Sequence, residues 1–394
     1  MNKIKDFIIK NKKLVIIIAG VILVAAIVAG ILIGTRGGKS KTGGTDSETT
    51  TDDVTEEETT TEDETTKEEE TTTEEEKEAP FINPLTGEGS EIDYSGKRPV
   101  AIMLNTIKQA LPQSGNSKAD ILIEMAEEGG ITRILGIYQD LNGVGTIGTV
   151  RSTREYYYSW TQGFDAIMVH AGGDSWVLDQ IRKDGSLTID SIMRNRGAFW
   201  RDPDRLTYLS MEHTLFTSSD KLQTWLTGSE IPLTNTKSDI TKLDFVEKLP
   251  DDYMSAAANN IKVTFSGYKS TSFRYNGNTG RYDIFFWDNE PYMDDAAKTQ
   301  VDVTNIIILP VPNWTAPDAW GKVRQKYDLS GGKGYYINNG EYMEINWTKG
   351  DYNVEAEYGN SLKMTTTDGK PLNLAVGKTY ICVVNQAFGV EITE

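Results

Sequence analysis

The chain has 394 residues, room for two or three domains, and a formal charge of -18 at pH 7. That charge is segmented: residues 1–45 carry eight Lys and Arg against one acid, residues 46–79 seventeen acids against two lysines, and residues 80–394 thirty basic against forty acidic side chains. An acidic folded part argues against nucleic-acid binding, which needs a basic patch, and a single cysteine, Cys382, excludes an internal disulfide and a cysteine-based metal site.

Residues 1–13 form a short basic tail, followed by the uncharged run "LVIIIAGVILVAAIVAGILIG" at 14–34. That run is long enough to span a hydrocarbon core of about 30 Å. Five lysines precede it, so the N-terminus is expected in the cytoplasm and the remainder outside. A cleaved secretory signal is the competing reading, but its apolar core usually covers only about 7–15 residues. An uncleaved transmembrane anchor is favoured. No cysteine lies near this run, which argues against lipid attachment. Residues 35–79 are rich in Thr and Glu and almost free of apolar side chains, which predicts a disordered, self-repelling linker. Its length allows about 150 Å at full stretch and roughly 40 Å as a relaxed coil.

From residue 80 the texture is globular. "RPVAIMLNT" reads as a buried strand ending at Asn105, and "ADILIEMAEE" and "TRILGIYQD" read as two more strands joined by a Gly129-Gly130 turn. Residues 80–235 read as a mixed α/β part. Residues 236–394 read as mostly antiparallel β, with "NNGE" and "DGKP" marking hairpins. Cys382, in "GKTYICVVNQ", reads as a small buried side chain in a strand.

The densest polar chemistry lies in "VRSTREYYYSW", from Val150, and "IMVHAGGDSW", from Ile167. "STRE" fits a capping box, with Ser152 and Glu155 each satisfying a backbone N–H of the other's residue. The helix should then run to Gly163. "DAIMVHA" predicts a strand ending near His170, followed by a helix capped by Asp174 or Ser175. If the strands are parallel neighbours, Arg151 and His170 share one sheet edge, where α/β sheets bind ligands. Arg151 and Arg154 can clamp an anion bidentately, or can pair with Glu124, Glu127 or Glu128. His170 fits a base, a ligand-orienting donor or a buried structural histidine. His213, in "MEHTLFTSSD", can approach the same place, or sit in a turn before a helix capped by Ser218 or Ser219.

Hydrolase signatures such as GxSxG and HExxH are missing, and "GVGTIG" at 143–148 lacks the Gly-Lys-Ser/Thr of a phosphate loop. A Ser152–His170–carboxylate triad rests on spacing alone. Neither a metal nor a cofactor is expected.

The stretches "FINPLTGE", "RPVAIMLNT", "LPQSGNSKADILIEMAEEGGITRILGIYQD", "IGTVRSTREYYYSW", "VHAGG" and "HTLFTS" resemble the YerB-like family, a domain of unknown function (3048) in envelope proteins of Gram-positive bacteria. "NIIILPV", "GKGYYINNG", "INWTK" and "DGKPLNLAVGKTYICVV" resemble its C-terminal part. The resemblance implies an α+β fold of the β-β-α three-layer sandwich type. The polar positions matching the family are Asn105, Glu124, Glu128, Arg133, Arg151, Arg154, His170 and His213. Many relatives look like lipoproteins, whereas this chain carries an apolar helix and no lipid-accepting cysteine. The expected function is a membrane-anchored extracytoplasmic binding or accessory protein of the cell envelope, engaging an anionic wall-associated ligand or a membrane-protein partner. Two alternatives stand beside it: an envelope hydrolase or transferase with His170 or Glu124 as general base and Ser152 or water as nucleophile, and a structural protein-docking domain. Non-enzymatic action is favoured.

Overall fold

Val100–Asn105 (β1) is buried at every position, as an unbroken apolar run requires when both faces of a strand are covered. The computed structural model describes residues 79–287 and 289–394. The basic tail, the transmembrane anchor expected at 14–34 and residues 35–78 of the expected linker lie outside the described residues. Among the described residues, no helix is long and apolar enough to cross a membrane.

The fold is mostly β, with three α-helices among the described residues: α1 (Glu155–Gly163), α2 (Ser175–Lys183) and α3 (Ser219–Thr227). All three precede residue 236. β1 belongs to an eleven-stranded sheet with β2 (Ile121–Ala126), β3 (Thr132–Tyr138), β4 (Ile167–His170), β5 (Ile189–Asp190), β6 (Ala256–Ala257), β7 (Asn305–Val311), β8 (Gly331–Asn338), β9 (Glu341–Thr348), β10 (Lys363–Thr366) and β11 (Thr379–Asn385). The spatial order is β6-β9-β8-β7-β11-β2-β3-β1-β4-β5, with β10 also on β9. The two parts seen in the sequence thus share one sheet. They join where β11 lies parallel to both β7 and β2.

Side chains alternate across this sheet. Ile102 and Leu104 of β1 meet Ile261, Phe273 and Ile284 of a second, six-stranded antiparallel sheet. Ala101 and Met103 face Tyr156, Tyr157 and Trp160 of α1 and Val177 of α2. The layers therefore run β, β, α through β1. Two turns work as their sequences suggest. Gly129 and Gly130 both take φ near 77° between β2 and β3, and Asn339-Gly340 (φ 48° and 78°) closes the β8–β9 hairpin between paired Asn338 and Glu341.

Asp120, at the head of β2, accepts from the Gln139 backbone N–H at 2.6 Å and from Asn83 Nδ2 at 2.9 Å. Burial pushes its carboxyl up to about 6 despite those donors. A carboxyl raised in the folded state stabilises the fold below its unfolded value near 4, and that contribution is lost as pH rises through 6. Asp120→Asn should flatten the pH dependence of urea stability between pH 4 and 6, and an unchanged slope would contradict this assignment.

Candidate functional site

The strands carrying the predicted polar residues are neighbours: β1 and β4 run parallel, with Val100 opposite Ile167. The Arg151 N–H donates to Met103 O, and the Ala171 N–H donates to Arg151 O, so Arg151 bridges the ends of both strands. Beyond it the chain stays extended. The Thr153 N–H bonds Gly172 O at 2.9 Å, and Thr153 pairs with Gly173. This corrects the capping-box expectation. Residues 152–154 are held against the loop after β4, so Arg154 occupies the N-cap of α1 without a side-chain cap bond. The other caps form as read: Asp174 accepts from the Val177 N–H at 2.9 Å, and Ser218 from the Lys221 N–H at 3.3 Å.

The structure separates the predicted site residues into four environments. Glu124 lies on β2 between the two sheets, fully buried, opposite Cys382 of β11. Its carboxylate accepts from the hydroxyls of Thr132 (2.6 Å), Thr271 (2.6 Å) and Tyr380 (2.7 Å), and the Lys269 ammonium stands 3.2 Å away. Lys269 is 1% exposed and lies 3.3 Å above the centroid of the Phe286 ring. Burial pulls its ammonium down to about 8, against the attraction of Glu124. Glu124 has no route to a substrate, so the geometry gives no support to its role as a general base.

His170 is likewise 1% exposed, with Nδ1 2.9 Å from Gly172 O and Nε2 3.0 Å from Thr188 Oγ1. Burial holds it below its ordinary pKa, with Asp190 opposing. Both ring nitrogens are engaged, so it serves as a buried structural histidine.

Arg133 and Arg154 enter a buried ion-pair network. Arg133 Nη1 lies 2.8 Å from Glu127, and it donates to Ser152 O at 2.5 Å. Arg154 reaches Glu128 at 2.7 Å, Glu127 at 3.4 Å and Asp174 at 3.5 Å. Burial opposes the Arg154 charge, but Glu127 and Glu128 more than offset it and raise its pKa. A hairpin of Asn313–Pro317 and Val323–Tyr327 seals the network from outside. Its Arg324 lies 3.5 Å from Glu128, and the Gln325 N–H donates to Glu128 Oε1 at 3.1 Å. The acids that neutralise Arg154 occupy the place where an anionic ligand would bind.

Arg151, Asn105 and His213 make the fourth group. The Asn105 amide is 3.1 Å from His213 Nδ1. With the amide donating, the ring proton sits on Nε2, 3.6 Å from Glu212 Oε1. Burial first, and then the Arg151 guanidinium, keep His213 below its ordinary pKa. Arg151 donates to Glu212 O at 2.6 Å and to Glu212 Oε2 at 3.1 Å. Here the protein opens. A cleft of about 160 Å³ is lined by Arg151, Ser152, Ile192, Arg201, Glu212 and Leu215. It shares Ile192, Arg201 and Leu215 with an adjoining cleft of about 360 Å³ that adds Ser191, Arg196, Phe199 and Trp200. Among the described residues the Arg201 side chain bonds only Met211 O and Thr214 Oγ1, and neither it nor Arg196 has a carboxylate within ion-pair distance. Among the described residues the buried Ser191 hydroxyl has no hydrogen-bond partner.

Arg196, Arg201 and Ser191 escaped the sequence reading, although "MRNRGAFWRDPDR" places four arginines in twelve positions beside Phe199 and Trp200. A larger cavity, about 820 Å³, lies at the other end of β1 beside Pro99, and none of the predicted site residues lines it. Its lysines and acids, Lys97, Lys242, Asp93, Asp244 and Glu247, are mixed in sign.

The chain is similar to YerB of Bacillus subtilis (strain 168), which bears the name of a candidate lipoprotein: 31% identical over 306 residues, covering 76% of this chain and 85% of that one. A crystal structure of the YerB protein from Bacillus subtilis superposes with a TM-score of 0.66 at 28% identity, covering 79% of this chain and 99% of the other. The N-terminal domain model of a protein family of unknown function, DUF3048, matches residues 85–231, and the corresponding C-terminal domain model matches residues 261–381. This chain therefore belongs to the DUF3048 family, whose YerB-like members its sequence resembles.

Proposed function

We propose that this protein is a membrane-anchored, extracytoplasmic binding module of the cell envelope, and that its ligand is anionic. Residues 14–34 supply the anchor, with the N-terminus in the cytoplasm, and residues 35–79 supply the tether. The lipoprotein name of the Bacillus relative supports a membrane-associated location outside the cytoplasm. In this chain an apolar segment takes the place of the lipid. The observation that carries the binding reading is the open cleft in which Arg196 and Arg201 lack carboxylate partners beside the unpartnered Ser191 hydroxyl. Of the residues named from sequence, Arg151 belongs to this reading through the adjoining cleft. The carboxylate of its partner Glu212 is largely exposed, so this pair is screened by solvent.

Titration calorimetry of the 79–394 domain with wall fragments and soluble glycerol phosphates tests it. A charge-assisted hydrogen bond contributes about 1.5–3 kcal/mol, so Arg201→Ala should weaken binding at least tenfold and Arg151→Ala by a smaller factor. Equal binding by wild type and Arg201→Ala would overturn the assignment. The hydrolase alternative gains nothing from Glu124 or His170, both sealed from solvent. The docking-scaffold alternative rests on the 820 Å³ cavity, whose walls include Phe81, Leu85, Tyr94, Phe164 and Phe245.

A further inference from the structure

The chain segment that carries the arginine cleft exposes many apolar side chains. Among the described residues fifteen large hydrophobic side chains are exposed, and five of them fall between residues 192 and 211: Ile192, Met193, Leu206, Tyr208 and Met211. Met193 and Tyr208 are 70% and 71% exposed. Part of this stretch borders the cleft. Ile192 lines both clefts with Arg201, Arg201 donates to the carbonyl of Met211, and Leu206 and Tyr208 project from the turn between them. Arg194 and Arg196 are exposed on the same stretch, without carboxylate partners among the described residues. Clustered exposed apolar side chains on a soluble domain mark an interaction surface. Tyrosine and arginine interleaved with aliphatic groups match a lipid interface, where apolar bodies enter and polar tips stay at headgroup level.

We infer that this face docks on the anionic phospholipid surface of the membrane to which the chain is tethered. A lipid phosphate enters the Arg196–Arg201–Ser191 cleft, and the Met193, Tyr208 and Met211 side chains enter the interface. The inference rests on the anion-binding reading of the cleft and on the anchor at 14–34. The cleft lies at the Asn105 end of β1, whereas the tether enters near Pro99, at the opposite end. Those ends are about 20 Å apart along a six-residue strand. A 45-residue tether reaching about 150 Å lets the far end turn to the membrane. Residues 80–394 carry ten excess acids, so an anionic surface repels the domain at long range. Docking therefore needs the apolar rim and the arginines together.

The test is vesicle flotation with the 79–394 domain, which holds the whole core. That domain folds alone, since 99% of the solved YerB chain is matched by 79% of this one. Wild type should float with phosphatidylglycerol–phosphatidylcholine vesicles and stay behind with phosphatidylcholine alone. Met193→Asp with Tyr208→Asp should reduce flotation at least tenfold, as should Arg196→Ala, with unchanged circular dichroism. Equal flotation on both vesicle types, no flotation at all, or a double variant that floats like wild type would overturn membrane docking. Calorimetry with glycerol 3-phosphate separates the two readings. Soluble phosphate bound by wild type and lost in Arg201→Ala, with vesicles ignored, leaves the anion site standing and removes the docking. No binding to either removes both.

Discussion

Replacing Lys269 with methionine will cost the domain on the order of 3–5 kcal/mol, because it strands a buried carboxylate. Glu124 and Lys269 face each other across the two sheets with essentially no solvent contact. The three hydroxyls on Glu124 cannot replace a cation. Replacing both members, Lys269→Met with Glu124→Gln, should recover much of the loss in urea denaturation, since no charge is left uncompensated and the surrounding hydroxyls can pair the amide. A single substitution costing less than about 1 kcal/mol would show that the pair is not buried as described.

Arg154→Met should cost a similar 3–5 kcal/mol, for a related reason. One guanidinium, 6% exposed, neutralises parts of Glu127, Glu128 and Asp174. The melting temperature should fall by about 10 °C, while anion binding by the folded protein changes less than twofold. The converse result, a stable protein that has lost its ligand, would move the binding site from the open cleft to this network.

The contrast between Arg151 and Arg154 shows what the sequence reveals and what it hides. Both arginines, with acids nearby, are visible in "VRSTRE" and "EMAEE". Which one is neutralised depends on Glu127 and Glu128 in the turn after β2 and on Arg324, some 170 residues later in the chain. No local pattern encodes such a contact. Local elements read well: the β1 run, the Asp174 and Ser218 caps and the Asn339-Gly340 turn are each determined by a few adjacent residues. The capping box failed because the Thr153–Gly173 bridge outcompeted a local cap, a tertiary contact overriding a short-range preference. The unbroken apolar run within Thr379–Asn385 reads as a strand, but nothing in it says that it inserts between β7 and β2.

That insertion has a consequence for biogenesis. The keystone of the large sheet, Thr379–Asn385, is synthesised after every other strand of that sheet. Until it arrives, Ile121–Ala126 and Asn305–Val311 each keep an open hydrogen-bonding flank. Completion of the large sheet therefore waits on this strand, a long-range pairing that slows folding. A premature stop after residue 370 would yield not a shortened domain but an aggregation-prone fragment for quality-control proteases.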